Sequence, residues 1–282
     1  MRYSYHMHSC HSDGTDTPEQ LINLAKIYGI DAVALTDHDT VDGVEAFMTA
    51  AAGTNIETIP GVEISSRIGQ KHVHNLGYGI DIKNIALLEL LDALTAEATK
   101  YTKYTFEKYI AHKYGYSWEQ VLNHNRKRKG FYLSDVFSAM LKDGLFNGWE
   151  QYAGFVDYCF KFVKQKYSAP VEKSFDVIKK SGGNVFLAHP KLMKLSLDEE
   201  LNIFKQMKDL GLDGIEAYYP EHSPKECNWY ELCCEKLDLK VSGGTDWHGR
   251  ARLKEETNYF YTIFKKRFGV SLSQYKIEKN KT

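Results

Sequence analysis

The chain has 282 residues, 43% hydrophobic and 26% charged, and its 36 basic and 37 acidic side chains leave a net charge of −1. This composition allows a sizeable core, either in one domain of ~200–250 residues with an insertion or in two smaller domains. No apolar run reaches the ~18 residues of a membrane-spanning helix, and the polar N-terminal stretch lacks a signal-peptide core. We therefore expect a cytoplasmic protein that does not contact a membrane.

Two residue counts narrow the class further. The five cysteines are odd in number and include an adjacent pair, which argues against a disulfide framework and against a CxxC zinc site. The near-neutral charge provides no global field that would attract nucleic acid. The 11 histidines are the unusual feature of the composition.

Short β-branched or alternating runs predict seven strands, at residues 3–8, 32–35, 57–64, 72–78, 184–188, 214–218 and 240–242. Amphipathic stretches between many of them predict helices at residues 18–28, 41–52, 175–180, 197–210 and 224–237. The first helix has a strong start signal, because Thr17 can cap it and Pro18 takes its first position. This alternation favours an α/β fold of βα units with a parallel sheet.

The order is interrupted once, between about residues 82 and 171, where no convincing strand occurs. This stretch is rich in Lys, Tyr and Phe and contains a basic run at residues 126–130. A structureless loop of such length is improbable in a compact protein. We therefore predict a βα barrel formed by residues 1–81 and 171–282, with a helical insertion at residues 82–170.

The chemistry begins with a pair of histidines in the first predicted strand. Residues i and i+2 of a strand face the same side, so His6 and His8 present two imidazoles to one point. Such a pair can bind a metal ion, although two surface histidines explain an isolated pair equally well.

Further metal-type side chains lie within, end or follow the predicted strands. They are Asp13, His38, Glu63, His74, His189, Asp246 and His248. In a βα barrel the carboxyl ends of the strands meet at one rim, where active sites of such folds are built. Coincidence is a poor explanation for this placement, so we predict one site.

The predicted site has three carboxylates and six imidazoles. This exceeds the roughly four ligands of a single zinc ion, so we predict two to three divalent transition-metal ions. Imidazole and carboxylate ligands without thiolate suit manganese, iron or zinc and do not discriminate among them. Glu63 is central in the order and is our candidate for the bridging ligand.

Several motifs together resemble the PHP (polymerase and histidinol phosphatase) family of metal-dependent phosphoesterases. They are His6-x-His8, Ser12-Asp13-Gly14, Thr36-Asp37-His38-Asp39, Gly61-Val62-Glu63-Ile64-Ser65, His74-x-Leu76-Gly77-Tyr78, Ala188-His189-Pro190, Gly214-Ile215-Glu216-Ala217-Tyr218-Tyr219 and Gly244-Thr245-Asp246-x-His248-Gly249. The resemblance spans about residues 1–249, with the motifs in the family's order. It is greatest for the branch with a helical insertion, which includes 3′,5′-nucleotide bisphosphate phosphatases and small 5′–3′ exoribonucleases.

The resemblance implies a distorted seven-stranded, TIM-like βα barrel with a trinuclear metal centre. It also implies a grouping of the ligands. One ion takes His6, His8, Glu63 and Asp246, a second takes Glu63, His74 and His189, and the third takes Asp13, His38 and His248. The implied enzyme is a phosphoric ester hydrolase, either a phosphatase or an exonuclease.

One segment departs from the family pattern. Members of that branch usually carry a Gly-Arg-Pro-His-like segment in the insertion, and this chain has Gly130-Phe131-Tyr132-Leu133-Ser134-Asp135 instead. A Phe cannot replace the bidentate donation of an Arg to phosphate, so this segment does not specify the family's usual substrate. Basic residues that could bind phosphate instead, or could be plain surface charge, are Arg67, Arg128, Lys129, Lys191 and Arg250.

These observations predict hydrolysis of a nucleotide-type phosphate ester, a 3′,5′-bisphosphonucleotide or a short single-stranded oligonucleotide, by a metal-bridging hydroxide. His222 follows the sixth strand and could protonate the leaving group or bind phosphate, or could be a capping or surface residue. Asp37 and Asp39 flank His38 and could orient imidazoles, and Asp39 could instead cap the next helix. The alternative functions are a histidinol-phosphate-type phosphomonoesterase and a non-catalytic metal-binding PHP module.

Overall fold

The computed structural model describes residues 2–124, 129–160 and 167–249. Within these ranges eight strands form one sheet. They are β1 (Tyr3–Ser4), β2 (Ala32–Leu35), β3 (Glu57–Ile68), β4 (Lys71–Tyr78), β5 (Ala169–Pro170), β6 (Asn184–Leu187), β7 (Gly214–Tyr218) and β8 (Lys240–Gly243).

The described helices either follow the strands or form the insertion. They are α1 (Pro18–Tyr28), α2 (Val44–Ala51), α3 (Ile85–Thr105), α4 (Ala111–Tyr114), α5 (Trp118–His124), α6 (Leu133–Lys142), α7 (Tyr152–Phe160), α8 (Val171–Lys180), α9 (Leu197–Asp209) and α10 (Pro224–Leu237). A π-helical turn, Phe106–Ile110, joins α3 to α4. Helix α1 begins as predicted, with a capping box formed by Thr17 and Gln20.

The main sheet has the order β1-β2-β3-β4-β6-β7-β8. Its two outer strands approach each other, because the chain after β1 is hydrogen-bonded to the chain around β8. The amide of Tyr5 donates to Gly243 O (3.1 Å), and that of His8 donates to Trp247 O (2.8 Å). The result is a nearly closed barrel of seven strands, and the predicted fold class is confirmed.

One strand corrects the expectation of a parallel sheet. Strand β4 is antiparallel to both β3 and β6, whereas the other neighbours in the main sheet are parallel. The amino-terminal half of β4, which carries His74, therefore faces the rim that the carboxyl ends of its parallel neighbours form. The long β3 extends past Glu63 as far as Ile68, so Glu63 lies within the strand and not at its end.

The segment predicted to be free of strands also contains one. Strand β5 is only two residues long and pairs in parallel with Ser66 and Arg67 of β3. The first predicted strand, in contrast, has regular ladder pairing only at Tyr3 and Ser4, and its remainder forms irregular hydrogen bonds.

Two separate hydrophobic clusters lie in the described residues. The larger one fills the barrel and includes Leu87, Leu90, Leu91 and Leu94 from the first half of α3. The smaller one includes Phe106, Phe137 and Phe155 and lies within the insertion. The boundaries of the insertion at residues 82 and 170 stay a prediction. None of the described helices combines the length and the apolar character needed to cross a bilayer.

Candidate metal centre

The nine predicted ligands lie together at one rim of the barrel. His6 and His8 face the same point, with their Nε2 atoms 3.1 Å apart, while the side chain of Met7 between them is fully buried in the barrel core. Both imidazoles are themselves fully buried. The alternative of two surface histidines is therefore wrong.

Glu63 is the centre of the cluster, and its two carboxylate oxygens contact different histidines. Oε2 lies 3.0 Å from Nε2 of His6 and 3.2 Å from Nδ1 of His38. Oε1 lies 2.9 Å from Nδ1 of His74 and 3.0 Å from Nε2 of His189. Glu63 thus contacts candidate ligands through both of its oxygens, and its role as a bridging ligand stays a prediction.

Two further carboxylates lie on either side of His8. Oδ1 of Asp246 is 2.9 Å from Nε2 of His8, and Oδ1 of Asp13 is 3.9 Å from Nδ1 of the same ring. Asp13 also lies 3.2 Å from Nε2 of His248. The donor atoms thus extend continuously from His189 at one end to His248 at the other.

Three groups of donor atoms in the described residues are compact enough to share an ion, each with all its atoms within 4.8 Å of one another. They are His6, His8, Glu63 and Asp246; His38, Glu63 and His74; and His8, Asp13, His38 and His248. The first group contains the four residues that the resemblance implies. The second differs because His38 takes the place of His189, whose ring Nε2 lies 3.0 Å from Oε1 of Glu63. The assignment of residues to individual ions stays a prediction.

The electrostatics of the cluster favour cation binding. Burial raises the pKa of Glu63, but attraction from neighbouring histidines, His6 foremost, outweighs it and holds the pKa well below its usual range. Asp246 behaves in the same way, since burial is outweighed by His6 and His248. Burial lowers the pKa of His38 to about 3, which leaves this ring neutral with a lone pair available.

The residues fit a set of divalent ions. The Nδ1 atoms of His8 and His38 are buried and have no hydrogen-bond partner within the described part of the chain. Buried polar atoms are normally satisfied, so these ring nitrogens in an anionic pocket are suited to act as ligands of a cation. The donor set, imidazole and carboxylate without thiolate, is that of Zn, Mn or Fe sites.

The backbone around the cluster has close approaches and unusual conformations. A Cβ at Gly14 would lie 2.3 Å from the carbonyl oxygen of His8, so only glycine allows the Asp13 loop to fold back at that point. Asp39, His189 and Asp246 have positive φ angles of 50°, 28° and 49°. Such conformations are costly for residues other than glycine and persist where the surrounding structure holds them in place.

Glu216 is a buried residue that the sequence analysis quoted in a motif but did not select. Its Oε1 contacts Nδ1 of His6 at 3.0 Å, and its Oε2 accepts from the amide of His189 at 2.8 Å. It therefore orients one ligand and the backbone of another. The alternation of β7 could have revealed it, because a charged residue at a position where a barrel strand faces inward needs a partner.

The two aspartates that flank His38 have different partners. Asp37 accepts from the amide of Ser9 (2.7 Å) and from the hydroxyl of Ser12 (2.5 Å), and so fixes the loop before Asp13. Asp39 accepts from the amide of Ser65 at 2.8 Å. Helix α2 begins later than predicted, at Val44 after Gly43, so the capping role considered for Asp39 is wrong.

His222 is fully buried and not at the surface. Its Nδ1 bonds to Ala217 O at 2.9 Å, and its ring packs between Tyr219 and Tyr230. The hydroxyl of Tyr219 in turn donates to Asp246 Oδ2 at 3.2 Å. This burial favours a packing role beneath Tyr219, and protonation of a leaving group by His222 stays a prediction.

The three described basic candidates have protein partners. Lys129 pairs with Asp42 at 3.0 Å, and Lys191 lies 2.7 Å from Glu221 O and 3.1 Å from Glu226. Arg67 donates to Ser168 O beside β5. Arg128 and Arg250 lie outside the described residues. Phosphate binding by any of the five stays a prediction.

Two cavities open beside the cluster. One cavity, of about 300 Å³, is bounded by the loops that precede α1 and α2 and by helix α3. The other, of about 230 Å³, contains His74, His72 and the tyrosines Tyr101, Tyr152 and Tyr167. His38 and Tyr132 line both cavities.

Comparison with known proteins points to one family. The family model described as PHP domain matches residues 4–185. The chain is 25% identical to a phosphoribosyl 1,2-cyclic phosphate 1,2-diphosphodiesterase of Eggerthella lenta, over 87% of this chain and 93% of the relative. It is 27% identical to the 5′-3′ exoribonuclease Rnm of Salmonella typhimurium, over 87% and 85% of the two chains.

A solved structure extends this similarity. A protein of Bifidobacterium adolescentis, provisionally described as a metal-dependent phosphoesterase, superposes with a TM-score of 0.79 at 25% identity, over 96% of this chain and 98% of that chain. The insertion is therefore covered by the superposition along with most of the barrel.

Proposed function

Since this chain belongs to the PHP domain family, we propose that it hydrolyses a nucleotide-type phosphate ester, either a phosphorylated nucleotide or a short oligonucleotide. The general activity of the protein is that of a metal-dependent phosphoesterase, which is a hydrolase. The names of the relatives, a diphosphodiesterase and an exoribonuclease, support a substrate that contains a phosphorylated ribose.

The observation that carries the proposal is the position of the tyrosine-lined cavity. This cavity shares His38 and His74 with the metal cluster, so a group attached to a phosphate at the cluster would enter it directly. Aromatic side chains stack on any nucleobase, and tyrosine also offers a polar edge for sugar and base hydroxyl or amine groups.

The reaction depends on how the residues at the rim balance charge. Divalent ions, when bound, supply an acidified water and neutralise phosphate oxygens. Asp13, Glu63 and Asp246 provide the negative charge that retains such ions, and Glu216 keeps the ring of His6 in its orientation. Without cations the same carboxylates would repel a phosphate. Metal occupancy thus decides whether substrate binds at all.

The test is a phosphate-release screen with the metal-reconstituted protein. Substrates are a 3′,5′-bisphosphonucleotide, a 5′-mononucleotide, short RNA and DNA, a cyclic ribose phosphodiester and histidinol phosphate. We expect at least one nucleotide-type ester to be turned over at least about tenfold more efficiently than histidinol phosphate. Preference for histidinol phosphate, or no release from any of these substrates by metal-loaded protein, would reject the proposal.

The metal content is tested on the same protein. Elemental analysis of protein purified without chelator should show more than one equivalent of transition metal. A stoichiometry that remains at or below one under saturating Mn or Zn would contradict a multinuclear centre.

A further inference from the structure

Tyr132 connects the insertion to the barrel rim beside His38. Its hydroxyl donates a hydrogen bond to Oδ2 of Asp39 across 3.0 Å, although 93 positions separate the two residues in the chain. Asp39 is the residue immediately after His38 and is 2% exposed. A side chain of the insertion is thus joined to the residue next to a candidate ligand.

Asp39 is tied to β3 as well. Its Oδ1 accepts from the amide of Ser65 at 2.8 Å, and its own amide donates to Glu63 O at 2.8 Å. Its φ angle of 50° is unfavourable for a residue with a side chain. The conformation therefore depends on these bonds, and it determines where His38 lies relative to Glu63.

Tyr132 is fixed from the insertion side. Its amide donates to Oδ2 of Asp135 at 2.8 Å, as the N-cap of α6, and the neighbouring amide of Phe131 donates to Thr99 on α3 at 2.9 Å. The buried side chains of Phe131 and Leu133 on either side belong to the insertion's hydrophobic cluster. The position of the hydroxyl therefore follows the packing of the insertion.

We propose that Tyr132 is a positioning residue that acts through Asp39 to keep His38 at the distance from Glu63 that metal binding requires. The hydroxyl couples the insertion to the metal centre. Without it, Oδ2 of Asp39 is left buried without this donor, and the strained turn after His38 relaxes. The inference rests on the proposed metal-dependent function.

The primary test compares Tyr132→Phe with Tyr116→Phe. Tyr116 donates to Asp143 at 2.6 Å inside the insertion, so its variant loses the same kind of Tyr–Asp bond away from the rim. The readouts are Mn²⁺ and Zn²⁺ binding by titration calorimetry, kcat and KM for phenyl phosphate and for a 5′-mononucleotide, and the thermal midpoint.

For Tyr132→Phe we expect roughly tenfold weaker metal affinity at one site and a similar loss of kcat for both substrates, with KM little changed, as for other residues that orient metal ligands. Tyr116→Phe should lower the thermal midpoint only, with metal affinity and kcat within about twofold of wild type. Unchanged metal affinity together with a raised KM for the nucleotide alone would mean that Tyr132 contacts substrate, and would overturn the proposal.

A double-mutant cycle tests the route through Asp39. The pair Tyr132→Phe and Asp39→Asn should lose no more metal affinity than Asp39→Asn alone, because both changes act on one hydrogen bond. Additive losses would overturn the proposed route. If wild-type protein binds metal but hydrolyses no phosphoester, the proposed function fails while the affinity comparison still decides the role of Tyr132. Wild-type protein that binds no metal would refute both.

Discussion

The barrel rim and the insertion differ in what fixes their side chains. At the rim, candidate ligands from separate segments are oriented by buried polar bonds, such as that of Glu216 to His6. In the insertion, packing dominates: Phe137 contacts four other rings at centroid distances of 4.5 to 5.3 Å. Side-chain positions at the rim therefore depend on individual hydrogen bonds, whereas those in the insertion depend on how well the rings fill the available volume.

This difference explains why the two regions carry different parts of the function. A polar network tolerates few substitutions, because each lost partner leaves a buried group unsatisfied. An aromatic cluster tolerates volume-conserving exchanges at modest cost. The rim can therefore keep one chemistry while the insertion changes the shape of the cleft and, with it, the substrate.

The largest effect should follow from a change at the centre of the rim. Glu63→Gln keeps the shape of the side chain but removes the charge between closely spaced ions, so at least one ion should be lost. We expect phosphate release to fall by roughly a thousandfold or more, since several kcal/mol of transition-state stabilisation are removed. The barrel should remain folded by circular dichroism.

A control for this variant lies on the same strand. Glu57→Gln, at the amino-terminal end of β3 away from the rim, should leave metal content and turnover unchanged. Near wild-type turnover with full metal content in Glu63→Gln would show that Glu63 is not the bridge.

Truncating one core phenylalanine in each region tests separately how the barrel and the insertion contribute to metal binding. Phe186→Ala in the barrel and Phe137→Ala in the insertion each remove a fully buried ring and should each cost about 3–5 kcal/mol. We expect Phe186→Ala to lose metal binding together with stability. Phe137→Ala should weaken metal binding at most about tenfold, the loss expected from the Tyr132–Asp39 contact, and should mainly impair nucleotide turnover.

Urea unfolding monitored by fluorescence, with parallel metal titrations, measures both effects. If Phe137→Ala releases its metal ions as readily as Phe186→Ala does, the insertion and the rim behave as one unit, and the distinction between them is wrong.

Glu216→Gln tests the polar network one step from the ligands. The amide can still accept from His189, but the negative charge beside Nδ1 of His6 is gone, so we expect a ten- to hundredfold loss of metal affinity or activity. Glu235→Gln, exposed on α10, is the control and should have no effect. An unchanged metal affinity would assign Glu216 to barrel packing alone.

The smallest effects should come from the exposed cations. Lys191→Ala and Arg67→Ala should change the ratio of efficiencies for a bisphosphonucleotide and a mononucleotide by about three- to tenfold, because exposed, paired charges contribute little. Lys205→Ala, exposed on α9, provides the baseline. If neither variant alters the ratio, these residues are solvated surface charge, and the nucleotide assignment loses local support.

The sequence predicted correct bounds for helices whose first residues carry a recognisable capping signal. Helices α1 and α10 have the predicted bounds because each begins with a capping box and Pro at the first helical turn. The direction of β4 was missed, since the alternation of a strand is the same in either direction. The observed turn between Ile68 and Lys71 has only two residues, Gly69 and Gln70, and such a turn joins antiparallel strands.

The nine candidate ligands could be identified from sequence because each lies within a predicted strand or in the segment that follows one, and the barrel brings those positions to one rim. Their partners could not be identified in the same way. The bonds from Glu216 to His6 and from Tyr132 to Asp39 join residues 210 and 93 positions apart. No local pattern encodes such a pairing, because it depends on how the barrel closes and on where the insertion packs. The residue types of the site are thus determined by the sequence, whereas the spacing of the ligands and the shape of the cleft arise from contacts that exist only after folding.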